Sequence, residues 1–93
     1  RTNKILEKMN IKQVWKNIKA HEGETFYTVR GYEFTYQVSG NAIRVNRANQ
    51  NLTYSNFEQA IEMWPVNGPG ELSQTIRGSA YVYALLADAR ISE

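Results

Sequence analysis

TFYTVRGYEFTYQVSGNAIRVNR, residues 25–47, is crowded with β-branched and aromatic side chains that recur at every second position, the period of a half-buried strand. Two turn signals divide it. Gly40-Asn41 suits a two-residue hairpin loop that accepts positive φ, and Arg30-Gly31 can serve the first connection in the same way. Counting outward from Gly40-Asn41 sets Val38 opposite Ile43, Tyr36 opposite Val45, Gln37 opposite Arg44 and Thr35 opposite Asn46. Counting from Arg30-Gly31 sets Val29 opposite Tyr32 and Tyr27 opposite Phe34. One register then gathers Tyr27, Val29, Tyr32, Phe34, Tyr36, Val38, Ile43 and Val45 on one face, and a slip of one residue in either hairpin would break the agreement. The other face carries Phe26, Thr28, Arg30, Glu33, Thr35, Gln37, Arg44 and Asn46, the mostly polar side of a sheet covered on one face.

Upstream the period changes to that of a helix. Ile11, Val14, Trp15 and Ile18 keep the i, i+3, i+4, i+7 spacing of an amphipathic stripe, with Asn10 placed to cap its start. Ile5, Leu6 and Met9 suggest an earlier turn or two. Downstream of a polar turn at Ala48–Asn51, Phe57, Ala60, Ile61 and Trp64 share a helical face, Ser55 and Glu58 match the capping box, and Pro65 ends the run. The two Pro and two Gly of residues 65–70 read as a structured loop. Ser79 is placed to cap a last helix reaching about Arg90, apolar on nearly every side over Ala80–Ala87. A buried strand is the competing reading of that short run. The expectation is one α+β domain over residues 1–93: a three-stranded antiparallel meander at about 25–47, with an N-terminal amphipathic helix and two C-terminal helices packed on one face. That order resembles the topology of the double-stranded RNA-binding domain. Where that family carries a lysine cluster at the start of its closing helix, however, Ser55–Ala60 holds Glu58 and no base.

Composition narrows the chemistry. With no cysteine, disulfides, thiolate metal sites and thiol nucleophiles are excluded, and the expected compartment is cytoplasmic. The longest apolar stretch, Tyr81–Ala87, falls far below the roughly 20 residues of a membrane span, so no membrane partner is expected. The chain opens at Arg1 without an initiator Met, which leaves room for a leader or an upstream domain. No glycine-rich nucleotide loop and no Gly-x-Ser-x-Gly elbow occurs. Ser39, Ser73 and Ser79 have no base other than the single His21. His21, Glu22 and Glu24 are metal donors by type, but neighbouring residues in a linker point different ways. No catalytic residue, metal or cofactor is expected.

Charge points elsewhere. Arg1, Lys4, Lys8, Lys12, Lys16 and Lys19 face Glu7 alone in the first 20 residues, a net +5, whereas residues 21–93 carry −3 of the chain's total of +2. Such a split can mark a basic arm for an anionic partner. Lys12, Lys16 and Lys19 recur on one helix face, and Arg30, Arg44 and Arg47 lie on or near the polar sheet face, where Phe26 is placed to stack on a base. Arg77, Gly78 and Ser79 would set a cation, a flexible glycine and a hydroxyl at the start of the last helix, an anion-binding arrangement. The first reading is therefore a non-enzymatic nucleic-acid-binding module, taking DNA or RNA on its basic helix and polar sheet face. One alternative is a protein-interaction or homodimerisation module that buries Trp15 or Trp64. Another is an accessory domain of an enzyme whose catalytic residues lie elsewhere.

Overall fold

A computed structural model describes residues 9–48 and 51–93. The turn anticipated around Ile5 and Leu6, and the charges of Arg1, Lys4 and Lys8, lie outside the described residues. Helix α1 (Ile11–Ala20) starts where its cap places it. The Asn10 carboxamide oxygen accepts from the amides of Lys12 at 2.8 Å and Gln13 at 3.2 Å, satisfying two of the donors that a helix start leaves bare. Its stripe of Val14, Trp15 and Ile18 is buried.

The strands fall into two small antiparallel sheets. Strand β1 (Phe26–Tyr27) pairs with β2 (Glu33–Phe34), while β3 (Tyr36–Ser39), β4 (Ala42–Val45) and β5 (Asn51–Thr53) form the second sheet in that order. The β3–β4 hairpin has the register counted from Gly40-Asn41, with Tyr36 opposite Val45 and Val38 opposite Ile43. Gly40 takes a φ of +60°, as that tight loop requires.

The first hairpin does not follow the count. Phe26 lies opposite Phe34 and Tyr27 opposite Glu33, one residue away from the expected register. The cause is the loop. Gly31 N donates to Thr28 O, Thr28 N donates to Tyr32 O, and Gly31 stands at φ +89°, so three residues turn the chain and the glycine occupies the left-handed bulge position. An odd loop turns β1 over. Phe26 enters the core with 0% of its surface exposed, while Tyr27, Val29 and Tyr32, expected inside, are 59%, 65% and 55% exposed.

The sheets part at Thr35, yet the ladder is patched by a side chain. Asn46 N donates to Thr35 O at 3.0 Å, and Thr35 N donates to the Asn46 carboxamide oxygen at 2.8 Å. Strand β5 is absent from the sequence reading, in which a polar turn ends at Asn51, and Leu52 and Thr53 belong to no element. It sets Leu52 opposite Ile43 and buries it, but one apolar residue between polar neighbours is too short a signal to register.

Helix α2 (Tyr54–Met63) begins earlier than the Ser55/Glu58 pattern implies. Its capping box is Thr53 and Asn56: Asn56 N donates to Thr53 Oγ1 at 3.1 Å, and Thr53 N donates to Asn56 Oδ1 at 3.0 Å. Trp64 leaves the helix in an extended conformation before Pro65 and stacks on Tyr83 with ring centroids 5.4 Å apart. After a 3-10 turn at Pro69–Glu71, the anticipated last helix is two: α3 (Ser79–Leu86) and α4 (Ala89–Ser92). The start of α3 is Gly78 at φ +70°, with no side-chain cap. The break before α4 is Asp88, whose carboxylate accepts from Arg90 N at 2.9 Å as a new N-cap.

The α+β class is as read from the sequence. Helices α1 to α4 bring Ile18, Phe57, Val82, Leu85 and Ile91 into one core with Phe26, Phe34, Tyr36, Ile43, Val45 and Leu52 from the strands. Strand alternation then turns Gln37, Ser39 and Arg44 outward, and all three are exposed. Both edges of the three-stranded sheet are also occupied. Along β3, Gly23 N donates to Tyr36 O at 3.1 Å and Val38 N donates to the Glu22 carboxylate at 2.8 Å. Along β5, the Thr53 amide is taken by the α2 capping box.

Candidate nucleic-acid interface

The outward alternation that buries Tyr36 and Val45 leaves a shallow, open groove of about 460 Å³ across β3, β4 and the turn that follows. Its walls include Thr35, Gln37, Arg44, Asn46 and Arg47. Arg44 and Gln37 are cross-strand partners. The Thr35–Asn46 ladder patch fixes the floor at one end, because the Asn46 carboxamide oxygen is committed to the Thr35 amide. At that end the Arg47 guanidinium lies 5.0 Å from the centroid of the exposed Tyr32 ring. This is cation–π distance. The groove thus combines fixed positive charge, amide and hydroxyl groups, and an adjoining aromatic ring.

Two of the sequence-predicted site residues, Arg44 and Arg47, line this groove together. Arg30 is exposed in the three-residue loop between β1 and β2. Lys12, Lys16 and Lys19 are all exposed on α1, but α1 packs on the inner side of the strands: the Tyr36 hydroxyl donates to Ile18 O at 2.6 Å. The lysines and the groove therefore face different sides of the domain. Arg77 and Gly78 precede α3 and Ser79 is its first residue, and Arg77 is exposed. Phe26 is excluded as a base-stacking residue, since the slipped register that buries it leaves no ring surface in solvent. Tyr32 is the aromatic residue the sequence reading missed, because the even-loop count sent it inward.

The single histidine belongs to a structural network. His21 Nδ1 lies 2.9 Å from a Glu24 carboxylate oxygen, and the other oxygen accepts from Arg90 at 3.1 Å. Arg90 also forks onto Asp88 at 2.9 and 3.0 Å, donates to Thr25 O at 3.1 Å, and lies 3.8 Å over the Phe26 ring. The His21 hydrogen bond holds the Glu24 carboxyl below its ordinary range, with Arg90 adding to the effect. The Arg90 side chain does the same for Asp88. Burial raises the Tyr36 phenol above its usual value, and the charges of Glu24 and Glu22 push it further. Glu22, bonded to the β3 edge, completes the set. No group of three or more metal-donor side chains is clustered among the described residues.

No helix among the described residues is long and apolar enough to cross a membrane. Compared with protein-family models, curated proteins and solved structures, the chain matches none.

Proposed function

We propose that this domain binds nucleic acid on the outer face of its three-stranded sheet. The observation that carries the reading is the open groove that sets Arg44 and Arg47 among Thr35, Gln37 and Asn46. Guanidinium groups take phosphate oxygens in fork geometry, and the amides and hydroxyl can bond sugar or base edges. The row of Lys12, Lys16 and Lys19 supplies a second positive surface that attracts a polyanion at long range. The reading needs no catalytic group in the domain.

Anisotropy titrations of labelled DNA and RNA oligonucleotides at two salt concentrations test it. Affinity should fall as salt rises, by a log–log slope of roughly −0.7 to −0.9 for each phosphate contact. Arg47→Ala should weaken binding and make that slope shallower by about one contact, with the melting temperature as a check on folding. Absence of binding to every oligonucleotide at low salt would refute the proposal.

A second reading has its own observation. Tyr27 and Val29, both exposed, border a cleft of about 220 Å³ shared with Tyr83, Ala84 and Ala87, and apolar surface of this kind suits a protein partner or a second copy. Sedimentation of the wild type against Val29→Ser separates the two readings, because a mass above that of the monomer that the change abolishes belongs to self-association.

A further inference from the structure

We infer that the groove takes a single-stranded polynucleotide and not a duplex, with one base stacked on Tyr32 beside Arg47; the inference rests on the nucleic-acid reading above. Three observations converge on it. First, the outer sheet face is low relief. Among the described residues, helices α1 to α4 each contribute to the core on the inner side of the strands, and none of them stands out from this face to enter a major groove about 12 Å wide and 8.5 Å deep. Side chains the length of Thr35, Gln37 and Asn46 can reach the edges of bases only when those bases are unpaired.

Second, an exposed aromatic ring adjoins the groove through Arg47. Tyr32 is 55% exposed, and Arg47 sits 5.0 Å from its ring centroid. A ring held in water beside a guanidinium offers stacking to any base and charge to its neighbouring phosphate, the combination that single-strand binders use. Third, the domain's positive charge is divided. Arg44 and Arg47 line the groove, while Lys12, Lys16 and Lys19 project from a helix that packs against the inward-facing Tyr36. The two shorter axes of the molecule measure 26 and 23 Å. A duplex is stiff over about 150 base pairs and cannot bend round so small a body at modest cost, whereas a single strand can pass from one surface to the other.

The test uses the intact chain and a fluorescein-labelled 20-nucleotide strand as DNA, as RNA of the same sequence, and as the DNA duplex, each at two salt concentrations. Single strands should bind at least about tenfold more tightly than the duplex. Tyr32→Ala should weaken single-strand binding roughly 5- to 100-fold, the worth of one stacked base, while Tyr32→Phe keeps most of it. Tyr27→Ala, at a comparably exposed ring on the same hairpin, should change little. Equal affinity for DNA and RNA assigns recognition to stacking and phosphate, and tighter RNA binding adds a 2′-hydroxyl contact; both support the inference. Equal or tighter duplex binding overturns it, as does a folded Tyr32→Ala that binds single strands unchanged, and both leave the nucleic-acid reading standing. If no oligonucleotide binds, both proposals fall. The strand-against-duplex comparison needs no variant, so a misfolded Tyr32→Ala does not remove the test.

Discussion

Phe26 and Tyr27 are adjacent aromatic residues with opposite fates, and the difference is the most direct check on the first hairpin. Phe26 is sealed between the Phe34 and Tyr36 rings, at centroid distances of 6.1 and 5.7 Å, with Arg90 over its face. Phe26→Ala should therefore cost about 3 to 5 kcal/mol in urea unfolding, and Tyr27→Ala no more than about 1. The reverse order would restore the two-residue loop and its register. Nothing in the alternation of residues 25–34 separates the two registers, because aromatic or β-branched side chains occupy both parities there. What separates them is the left-handed conformation of Gly31 and the loop of three residues it closes. Around Gly40 no such ambiguity exists: Gln37, Arg44 and Asn46 are polar on one face of the hairpin and Tyr36, Ile43 and Val45 apolar on the other. That hairpin was legible for this reason.

Among the elements, the helix starts show where sequence patterns suffice and where they mislead. Asn10 caps α1 as expected, since no other Ser, Thr, Asp or Asn lies between Asn3 and the start of the stripe. At α2 two patterns overlap, Thr53 with Asn56 and Ser55 with Glu58. The tertiary structure selects the earlier one: β5 must hold its pairing until Tyr54 N reaches Asn41 O at 2.8 Å, and the helix follows at once. Thr53→Ala should lower stability by about 1 kcal/mol, as loss of a cap does, and Ser55→Ala should stay within about 0.5. Thermal melts of the two variants side by side measure the difference. The divided last helix was hidden for a related reason. Asp88 has an ordinary helical neighbourhood in sequence, and only its bond to Arg90 N makes it a cap.

Across the whole molecule, the acidic groups that pair with Arg90 set the response to pH. Both Asp88 and Glu24 have carboxyls lowered below their ordinary values in the folded chain, so the unfolded chain binds protons more readily than the folded one. The stability this contributes is complete above the ordinary carboxylate range and is lost as pH falls through the lowered values. The urea midpoint should accordingly fall on acidification below about pH 4, and Asp88→Asn should make that fall shallower while reducing stability at neutral pH. A pH profile identical to that of the wild type would remove Asp88 from the network. None of this was legible beforehand, because Arg90 meets Glu24 from 66 positions away and no local pattern announces it. The candidate interface was legible only in part: Arg44 and Arg47 follow from the second hairpin, whereas Tyr32 depends on the first. The same long-range closure bears on how the chain is made. Asn17 on α1 donates to Ile91 O at 2.8 Å, between residues 74 positions apart, and Arg90 clasps the Glu24–Phe26 segment from the other end of the chain. On a ribosome that emits the chain from its N-terminus, Trp15 can meet Tyr54 and Phe57 once those residues are out, but the Asn17 contact must wait for Ile91, so the last bond that secures α1 forms only when the chain is nearly complete.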